Sequence, residues 1–308
     1  MVDEETVVVR DYPIDEPAII VHGGAFSKGV DIGDWGEKAS AVAEKAARRG
    51  YQILSEKKNP LEAVVEAVKV LEDTCWLNAG RGSILDASGK ISMDAGLMRG
   101  WDLQFASIAN VSYPLHPIEL AYRILQKTGT LILAGHQADI MAALEKLEPH
   151  PGPCPRAYER WRKVLEQRKK SKLAKPYNQL YPLGDTVGAV ATDGNRYAAA
   201  VSTGGILFKV PGRVGDSPLP GAGFYADSHG AVVATGIGET IARFLLSYRI
   251  LRSIPNNVKK VLVEFTGLMG PSTAGVIFVG KEVSGYAYNG GGMPWALCTG
   301  NSCLKGWR

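Results

Sequence analysis

Residues 184–191 read Gly-Asp-Thr-Val-Gly-Ala-Val-Ala. Small and β-branched residues follow Thr186, and such a continuous apolar run is typical of a buried strand. If the chain is cut between Asp185 and Thr186, the new α-amine, with a pKa near ~7.7–8.0, stands beside the threonine hydroxyl. That amine can serve as the base that activates its own hydroxyl as a nucleophile. Taken alone, the octapeptide also fits a threonine that merely opens a strand.

Composition favours a soluble globular protein. With 308 residues, 45% of them hydrophobic, the chain can build one large α/β domain or two ordinary ones. Its formal charge of +4 gives no reason to expect nucleic acid or an acidic partner. No apolar run approaches the ~18–20 residues of a membrane span, and residues 1–17 are acidic and lack an apolar signal segment. We therefore expect a cytoplasmic protein.

The cysteines and histidines give little sign of metal or redox chemistry. Cys75, Cys154, Cys298 and Cys303 form no CxxC pair and are too sparse for a disulfide scaffold. We expect reduced thiols, although Cys298 and Cys303 are near enough in sequence to meet in the final loop. There is no HExxH motif and no His/Cys cluster, which argues against a catalytic transition metal.

The first half alternates strand and helix patterns. Strands are predicted at 18–21, 93–98 and 105–111, and helices at 34–53, after Pro60 and from His116. The Gly-Gly pair after His22 allows a sharp turn, so this loop is expected to line a site. His22 by itself fits a structural histidine better than a catalytic one.

Residues 148–182 change in character. Prolines crowd the start of this segment and a basic run follows at 156–175. We predict an exposed connector that is helical around 158–167. A basic run can bind nucleic acid, but no known binding module accompanies it, so a solvated linker is the favoured interpretation.

The second half carries the chemistry. Residues 187–192 and 197–201 are predicted to form a hairpin. Arg213 and Asp216 share a glycine- and proline-rich loop that suits a zwitterion, with guanidinium on an α-carboxylate and carboxylate on an α-ammonium. The two side chains can equally pair with each other. Residues 232–239 form a strand-to-helix turn whose free N–H groups can hold an oxyanion.

Eight motifs occur in a fixed order along the chain. They are His22-Gly-Gly-Ala25, Asn78-Ala-Gly-x-Gly-Ser83, Asp94-Ala95, Gly184-Asp-Thr-Val-Gly-Ala-Val-Ala191, Ser202-Thr-Gly-Gly205, Pro211-Gly-Arg-Val-Gly-Asp-Ser-Pro218, Gly221-Ala-Gly-x-Tyr-Ala-Asp227 and Thr235-Gly-x-Gly-Glu239. Together they resemble the plant-type L-asparaginase and isoaspartyl peptidase family of N-terminal nucleophile hydrolases. The resemblance covers nearly the whole chain.

The resemblance implies an α/β fold of the four-layer αββα sandwich type. It implies one domain, 1–308, that cuts itself between Asp185 and Thr186 into an alpha piece, 1–185, and a beta piece, 186–308. Thr186 would then be both cleavage site and nucleophile. Thr203 would orient it, and Thr235 would form the oxyanion hole.

Further site residues follow from the same resemblance. The N–H of Gly236 would complete the oxyanion hole, and Asn78 would help to position the catalytic water or the oxyanion. Arg213 and Asp216 would clamp the α-carboxylate and α-amine of an aspartyl group, and the Gly238 carbonyl would accept from that amine.

No cofactor is implied for the chemistry. A structural sodium ion is implied on backbone carbonyls of the turn from Trp76 to Asp86, where oxygen ligands suit a hard cation. The family assembles as a dimer of alpha–beta heterodimers. Ile237 departs from the pattern, because relatives often place histidine or another polar residue there.

The expected reaction is hydrolysis of the side-chain amide of L-asparagine or of β-aspartyl (isoaspartyl) peptides. The shared aspartyl head leaves the preference between these substrates open. Glycosylasparaginase and a threonine endopeptidase of the same superfamily are the nearest alternatives. The endopeptidase is disfavoured because Arg213 with Asp216 suits a free α-amino acid head. A nucleic-acid-binding protein acting through the basic linker is the remaining alternative.

Overall fold

A computed structural model describes residues 7–30, 32–170, 183–184, 186–270, 272–300 and 302–308. The helices are α1 (Trp35–Lys57), α2 (Pro60–Glu72), α3 (Pro117–Lys127), α4 (Gly135–Leu144), α5 (Pro155–Lys170), α6 (Gly238–Phe244), α7 (Leu246–Leu251) and α8 (Val258–Met269). The strands are β1 (Val8–Pro13), β2 (Ala18–His22), β3 (Ala25–Phe26), β4 (Met93–Arg99), β5 (Phe105–Val111), β6 (Ile132–Ala134), β7 (Leu183–Gly184), β8 (Val187–Thr192), β9 (Tyr197–Thr203), β10 (Phe224–Asp227), β11 (Gly230–Gly236), β12 (Ala274–Gly280), β13 (Val283–Tyr288), β14 (Trp295–Thr299) and β15 (Ser302–Gly306).

Two large sheets form the centre of the molecule. The larger has the strand order β15-β14-β2-β8-β9-β4-β5-β6, and the smaller has the order β1-β13-β12-β11-β10. Neighbouring strands are antiparallel throughout, except for the parallel edge pair of β5 and β6. A short ladder of β3 with β7 lies immediately before Thr186 in the chain.

Strand β8 is buried on both faces, which explains its unbroken apolar sequence. Ala189 and Ala191 belong to the core on the helix side of the larger sheet, whereas Val190 belongs to the core between the two sheets. The next strand, β9, pairs antiparallel with the whole of β8. The hairpin predicted for this part of the sequence is therefore confirmed.

Three apolar cores separate four layers. Helices α1, α2 and α3 cover the outer face of the larger sheet, and α6, α7 and α8 cover the smaller one. The two sheets pack against each other through β2, β8, β9, β11 and β12. This arrangement is the αββα sandwich that the sequence motifs imply.

Strands from both sides of residue 186 alternate within the larger sheet. Strand β2 lies between β14 and β8, and β4 lies between β9 and β5. A break in the chain before Thr186 would therefore leave the two pieces joined by sheet hydrogen bonds and by a shared core.

The predicted helices are confirmed, with small differences at their ends. Helix α2 begins at Pro60, and the Asn59 side chain accepts from the N–H groups of Leu61 and Glu62 as its cap. Helix α1 runs to Lys57, one turn beyond the predicted end. None of the helices in the described residues combines the length and the apolar character that a bilayer crossing requires.

The helix predicted around 158–167 is confirmed as α5, but the prediction that this part of the linker is simply exposed is wrong. Helix α5 packs against the protein through Val164, which is 1% exposed, and through Trp161. The Trp161 indole donates to the carbonyl of Asp86 at 2.9 Å and stacks on Phe208. Two apolar side chains one turn apart give the basic helix a buried face. The many charged residues of this segment suggested full exposure and concealed that face. Residues 171–182 lie outside the described residues.

The prediction of reduced cysteines is also wrong. Disulfides join Cys75 to Cys154 and Cys298 to Cys303. The first links partners 79 positions apart, so sequence spacing gave no sign of it. The second spans the β14–β15 turn, where Cys298 and Cys303 are directly opposite each other in the ladder.

Candidate active site

Thr186 lies at the entrance to the central strand β8 and is 6% exposed. Its hydroxyl donates to the hydroxyl oxygen of Thr203 at 3.2 Å. Thr203 is the last residue of β9, and the pairing of Val187 with Ser202 brings the two threonines side by side. Asp185, the other half of the predicted cleavage site, lies outside the described residues. The structure therefore brings together the predicted nucleophile and the residue predicted to orient it.

Thr203 is fixed by a second contact. The N–H of Gly205 donates to the Thr203 hydroxyl oxygen at 2.9 Å. Because this oxygen already accepts two hydrogen bonds, its position next to Thr186 is set from both sides. Thr203 is also buried, at 3% exposed, which limits competition from water.

Asn78 makes hydrogen bonds to the Gly204–Gly205 turn that follows Thr203. Its side-chain nitrogen donates to the carbonyl of Gly205 at 2.6 Å, and its side-chain oxygen accepts from the N–H of Ile84 at 3.0 Å. Its backbone carbonyl accepts from the N–H of Gly204. These bonds hold the Gly204–Gly205 turn, and hence Thr203, in place. The predicted contact of Asn78 with a catalytic water or an oxyanion stays a prediction.

Thr235 and Gly236 end strand β11 of the opposite sheet. Thr235 is fully buried, and its hydroxyl oxygen accepts from the N–H of Ala25 at 3.4 Å. Ala25 in turn pairs with Gly184, two residues before Thr186. The short β3–β7 ladder therefore links Thr235 to the chain that leads into Thr186. Gly236 has a φ of +139°, and a Cβ there would lie 2.2 Å from the carbonyl oxygen of Thr273, so only glycine fits.

His22 is structural, as its sequence context suggested. It is fully buried at the end of β2, and its Nδ1 accepts from the N–H of Gly24 at 3.2 Å. Burial lowers the pKa of His22 to about 3, so the ring is neutral at ordinary pH. The ring faces Gly188, where an added Cβ would lie 2.9 Å from Nε2.

The predicted substrate clamp also comes together. A Cβ on Gly238 would lie 2.7 Å from the Oδ1 of Asp216 and 2.8 Å from the Nη2 of Arg213. The loop that carries Arg213 and Asp216 therefore meets the start of helix α6 at one point. Arg213 does not close on Asp216. Its Nε donates to the carboxylate of Glu239 at 2.9 Å instead.

Two polar atoms of the clamp are buried and unpaired within the described residues. The Nη2 of Arg213 and the Oδ2 of Asp216 have no hydrogen-bond partner among the residues that the structure describes. Burial raises the pKa of Asp216 to about 7, although the Arg213 charge opposes the shift. A buried donor and a buried acceptor without partners are costly, and a ligand with both a carboxylate and an ammonium group would satisfy them.

Sequence reasoning missed Lys209, and it gave no role to Asp94, which belongs to one of the eight motifs. Lys209 is 1% exposed, and its ammonium group donates to the carbonyl of Ser92 at 2.7 Å. A Cβ on Gly205 would lie only 2.4 Å from its Nζ, so the lysine packs directly on the turn that holds Thr203. Asp94 is fully buried and pairs with Thr203 across β4 and β9. The signal for Lys209 was a single lysine in the apolar run from Ile206 to Val210.

Gly82, in the turn from Trp76 to Asp86, lies close to two backbone carbonyl oxygens. A Cβ on Gly82 would lie 1.9 Å from the carbonyl oxygen of Leu77 and 2.5 Å from that of Thr74. The two carbonyls therefore pack directly against the Gly82 backbone, and carbonyl oxygen is the donor type that a hard cation prefers. No cluster of His, Cys, Asp and Glu fit for a metal occurs in the described part of the chain.

Comparison with known proteins adds independent findings. A family model described as "Asparaginase" matches residues 15–301. The chain is 36% identical over 298 residues to a plant-type L-asparaginase of Thermococcus kodakarensis, covering 91% of this chain and 95% of that protein. It is 39% identical over 289 residues to an isoaspartyl peptidase/L-asparaginase of Homo sapiens, covering 91% and 92% of the two chains. An isoaspartyl peptidase/L-asparaginase of Bos taurus is 38% identical with the same coverage.

Proposed function

The chain belongs to the asparaginase family, and from that premise we propose that it is a hydrolase of L-asparagine and β-aspartyl peptides with Thr186 as nucleophile. The observation that carries the proposal is the hydrogen bond from the Thr186 hydroxyl to Thr203 at the entrance of the central strand. Arg213 and Asp216 supply the opposite charges that an aspartyl head needs.

The reaction proceeds in two steps. The Thr186 oxygen attacks the side-chain carbonyl, and its proton passes to the α-amine of the same residue. The carbon–nitrogen bond then breaks, and the leaving ammonia or peptide amine takes that proton. Water next attacks the β-aspartyl ester and releases aspartate, which restores the hydroxyl. Thr235 and the N–H of Gly236 stabilise the negative oxygen at each attack.

The α-amine must first be released, so we propose autocatalytic cleavage between Asp185 and Thr186. The interleaved strands support this, because the two pieces stay together in one fold after the cut. On a denaturing gel the purified protein should resolve into pieces 1–185 and 186–308. N-terminal sequencing of the shorter piece should begin Thr-Val-Gly-Ala.

A paired assay tests the function. The wild-type protein is measured on L-asparagine and on a β-aspartyl dipeptide, beside Thr186→Ala and the control Thr192→Ala. Thr192 is fully buried at the far end of the same strand. Thr186→Ala should lose roughly 10⁴-fold or more of the turnover, while Thr192→Ala keeps it. Normal turnover by Thr186→Ala would contradict the proposal.

The alternatives are less well supported. The relatives described above carry asparaginase and isoaspartyl peptidase names, which favours these activities over glycosylasparaginase and over a threonine endopeptidase. A nucleic-acid-binding role through residues 156–175 is disfavoured as well, because helix α5 uses Trp161 and Val164 for packing. Release of sugar from glycosyl-asparagine would revive the first alternative.

We further propose a structural sodium ion on backbone carbonyl oxygens of the turn from Trp76 to Asp86. Such an ion would brace the turn that carries Asn78 and would take no part in bond breaking. Exchange of sodium for a bulky organic cation should then lower the melting temperature. A dimer of alpha–beta heterodimers and a cytoplasmic location stay predictions, which light scattering and cell fractionation test.

A further inference from the structure

Glu239 makes an ion pair with the arginine of the clamp. Its carboxylate oxygen lies 2.9 Å from the Nε of Arg213. The arginine side chain is 14% exposed and that of Glu239 is 48% exposed. The pair therefore joins a buried group to a half-exposed one, and Glu239 is the part that reaches solvent.

The contact uses only one position of the guanidinium. Glu239 accepts from Nε, whereas Nη2 remains buried without a partner in the described residues. A carboxylate can bind a guanidinium either across Nε and one Nη, or across the two Nη atoms at its end. Because Glu239 occupies Nε, the end of the guanidinium is the part left for a substrate.

Two glycines fix the plane of the same group. A Cβ on Gly215 would lie 2.7 Å from the Nη1 of Arg213, and a Cβ on Gly238 would lie 2.8 Å from its Nη2. The guanidinium therefore lies tightly against backbone at both of its Nη atoms. Glu239 supplies the remaining restraint, at the base of the guanidinium, and determines the direction in which the Nη atoms point.

We propose that Glu239 is a positioning residue that holds Arg213 with its Nη atoms directed at the α-carboxylate of the substrate, and so sets the requirement for a free α-amino acid head. The proposal rests on the function assigned above. It adds a residue that does not touch the reacting atoms. Without Glu239 the arginine gains freedom, and the substrate must then restrict it on binding.

The test compares wild-type protein with Glu239→Gln and Glu239→Ala. Both variants should raise the KM for L-asparagine by about tenfold and leave kcat within about twofold, because the loss affects binding rather than bond breaking. Glu264→Gln is the matched control. Glu264 pairs with Arg249 at 3.0 Å on the surface and is 47% exposed, so its loss should change neither constant.

A double-mutant cycle separates positioning from general damage. In an Arg213→Ala background, Glu239→Gln should have no further effect on KM, since the group that it positions is gone. Additive effects of the two changes would overturn the proposal. An unchanged or lower KM for Glu239→Gln alone would also overturn it, since Glu239 would then be irrelevant or a competitor for the guanidinium.

Binding of the product L-aspartate, measured by calorimetry, compares substrate-head affinity in wild-type protein and Glu239→Gln without any turnover. The wild-type protein should bind L-aspartate about tenfold more tightly than Glu239→Gln does. If wild-type protein hydrolyses neither substrate, the proposed function fails, whatever the variants show. If it hydrolyses them but Glu239→Gln binds and turns over normally, only the role of Glu239 fails.

Discussion

The Thr186 hydroxyl lies 3.2 Å from the hydroxyl of Thr203, which is held on its other side by the N–H of Gly205. The proposed nucleophile therefore has a neighbour with a fixed position, and we expect its angle of attack to depend on Thr203. Thr203→Val keeps the shape of the side chain and removes the oxygen. We expect kcat to fall by roughly 10²-fold, the scale of one lost positioned polar group, while KM stays within about threefold.

Steady-state kinetics on L-asparagine checks this prediction. A matched control is Thr128→Val, because the Thr128 hydroxyl makes its hydrogen bonds to the backbone of Ile124 and Thr130 at the end of helix α3. A Thr203→Val protein with full kcat would show that the nucleophile needs no orienting partner.

Arg213→Ala should separate substrate binding from self-cleavage. Arg213 offers its buried Nη2 to a carboxylate, and the scissile bond before Thr186 has no free α-carboxylate there. We expect the KM for L-asparagine to rise about 100-fold or more, the scale of a lost buried charge-assisted bond. The two-band pattern on a denaturing gel should remain. Normal hydrolysis of L-asparagine by this variant would refute the clamp.

Much of this site could be predicted from the order of its motifs. Several site residues stand near glycines or at the ends of strands, and these local features can be read from the sequence alone. They are Thr186, Thr203, Arg213 and Asp216. Glu239 belongs to the last of the eight motifs, but its partner Arg213 lies 26 positions away, so only the fold brings the two side chains together.

Other features depend on packing that leaves no local pattern. The charge of Lys209 suggests exposure, and only the structure places it beneath Gly205. Helix α5 is similar, because its basic residues hide the two apolar positions that dock it. The Cys75–Cys154 disulfide requires the turn before Asn78 to meet the start of α5, and that contact follows from no spacing rule.

Asp216 predicts a specific pH dependence of stability. Burial raises its pKa from 3.8 to about 7. An acid whose pKa rises on folding stabilises the fold fully at low pH, and this contribution is lost as the pH rises through the folded-state pKa. Between pH 4 and pH 7 the melting temperature of wild-type protein should therefore fall relative to that of Asp216→Asn. The free-energy difference is a few kcal/mol at most.

The comparison with Asp216→Asn cancels other groups that titrate. His22 acts in the opposite sense, because its pKa is lowered to about 3 and its contribution is lost as the pH falls. Both proteins contain His22, so the difference between their melting temperatures reports only the titration of Asp216. Parallel pH curves for the two proteins would show that Asp216 is already ionised in the free protein.

The long disulfide should stabilise the protein more than the short one. Cys75 and Cys154 are 79 positions apart, whereas Cys298 and Cys303 are 5 apart. By the loop-closure model the long one contributes about 4.5 kcal/mol and the short one about 2 kcal/mol. Melting temperatures of the two double serine variants test the order. Alkylation of the unfolded protein without reductant should label no cysteine, and labelling of all four would contradict the pairing.

Gly238→Ala tests the clamp by filling it. The new methyl group would lie 2.7 Å from the Oδ1 of Asp216 and 2.8 Å from the Nη2 of Arg213, so one or both must move. Alanine suits the first turn of a helix better than glycine does, so α6 itself should not suffer. We expect the KM for L-asparagine to rise at least tenfold, with kcat changed much less.

The control for this change is Gly306→Ala, at a strand end where the atoms nearest to the new methyl group belong to the Trp295 ring, at 3.1 Å. That variant should keep the wild-type KM. The melting temperature of Gly238→Ala should stay within a few degrees of the wild-type value, which separates a filled pocket from a damaged fold. If Gly238→Ala binds L-asparagine normally, then the point shared by Gly238, Arg213 and Asp216 is not where the aspartyl head sits, because no substrate atom and methyl group can occupy it together.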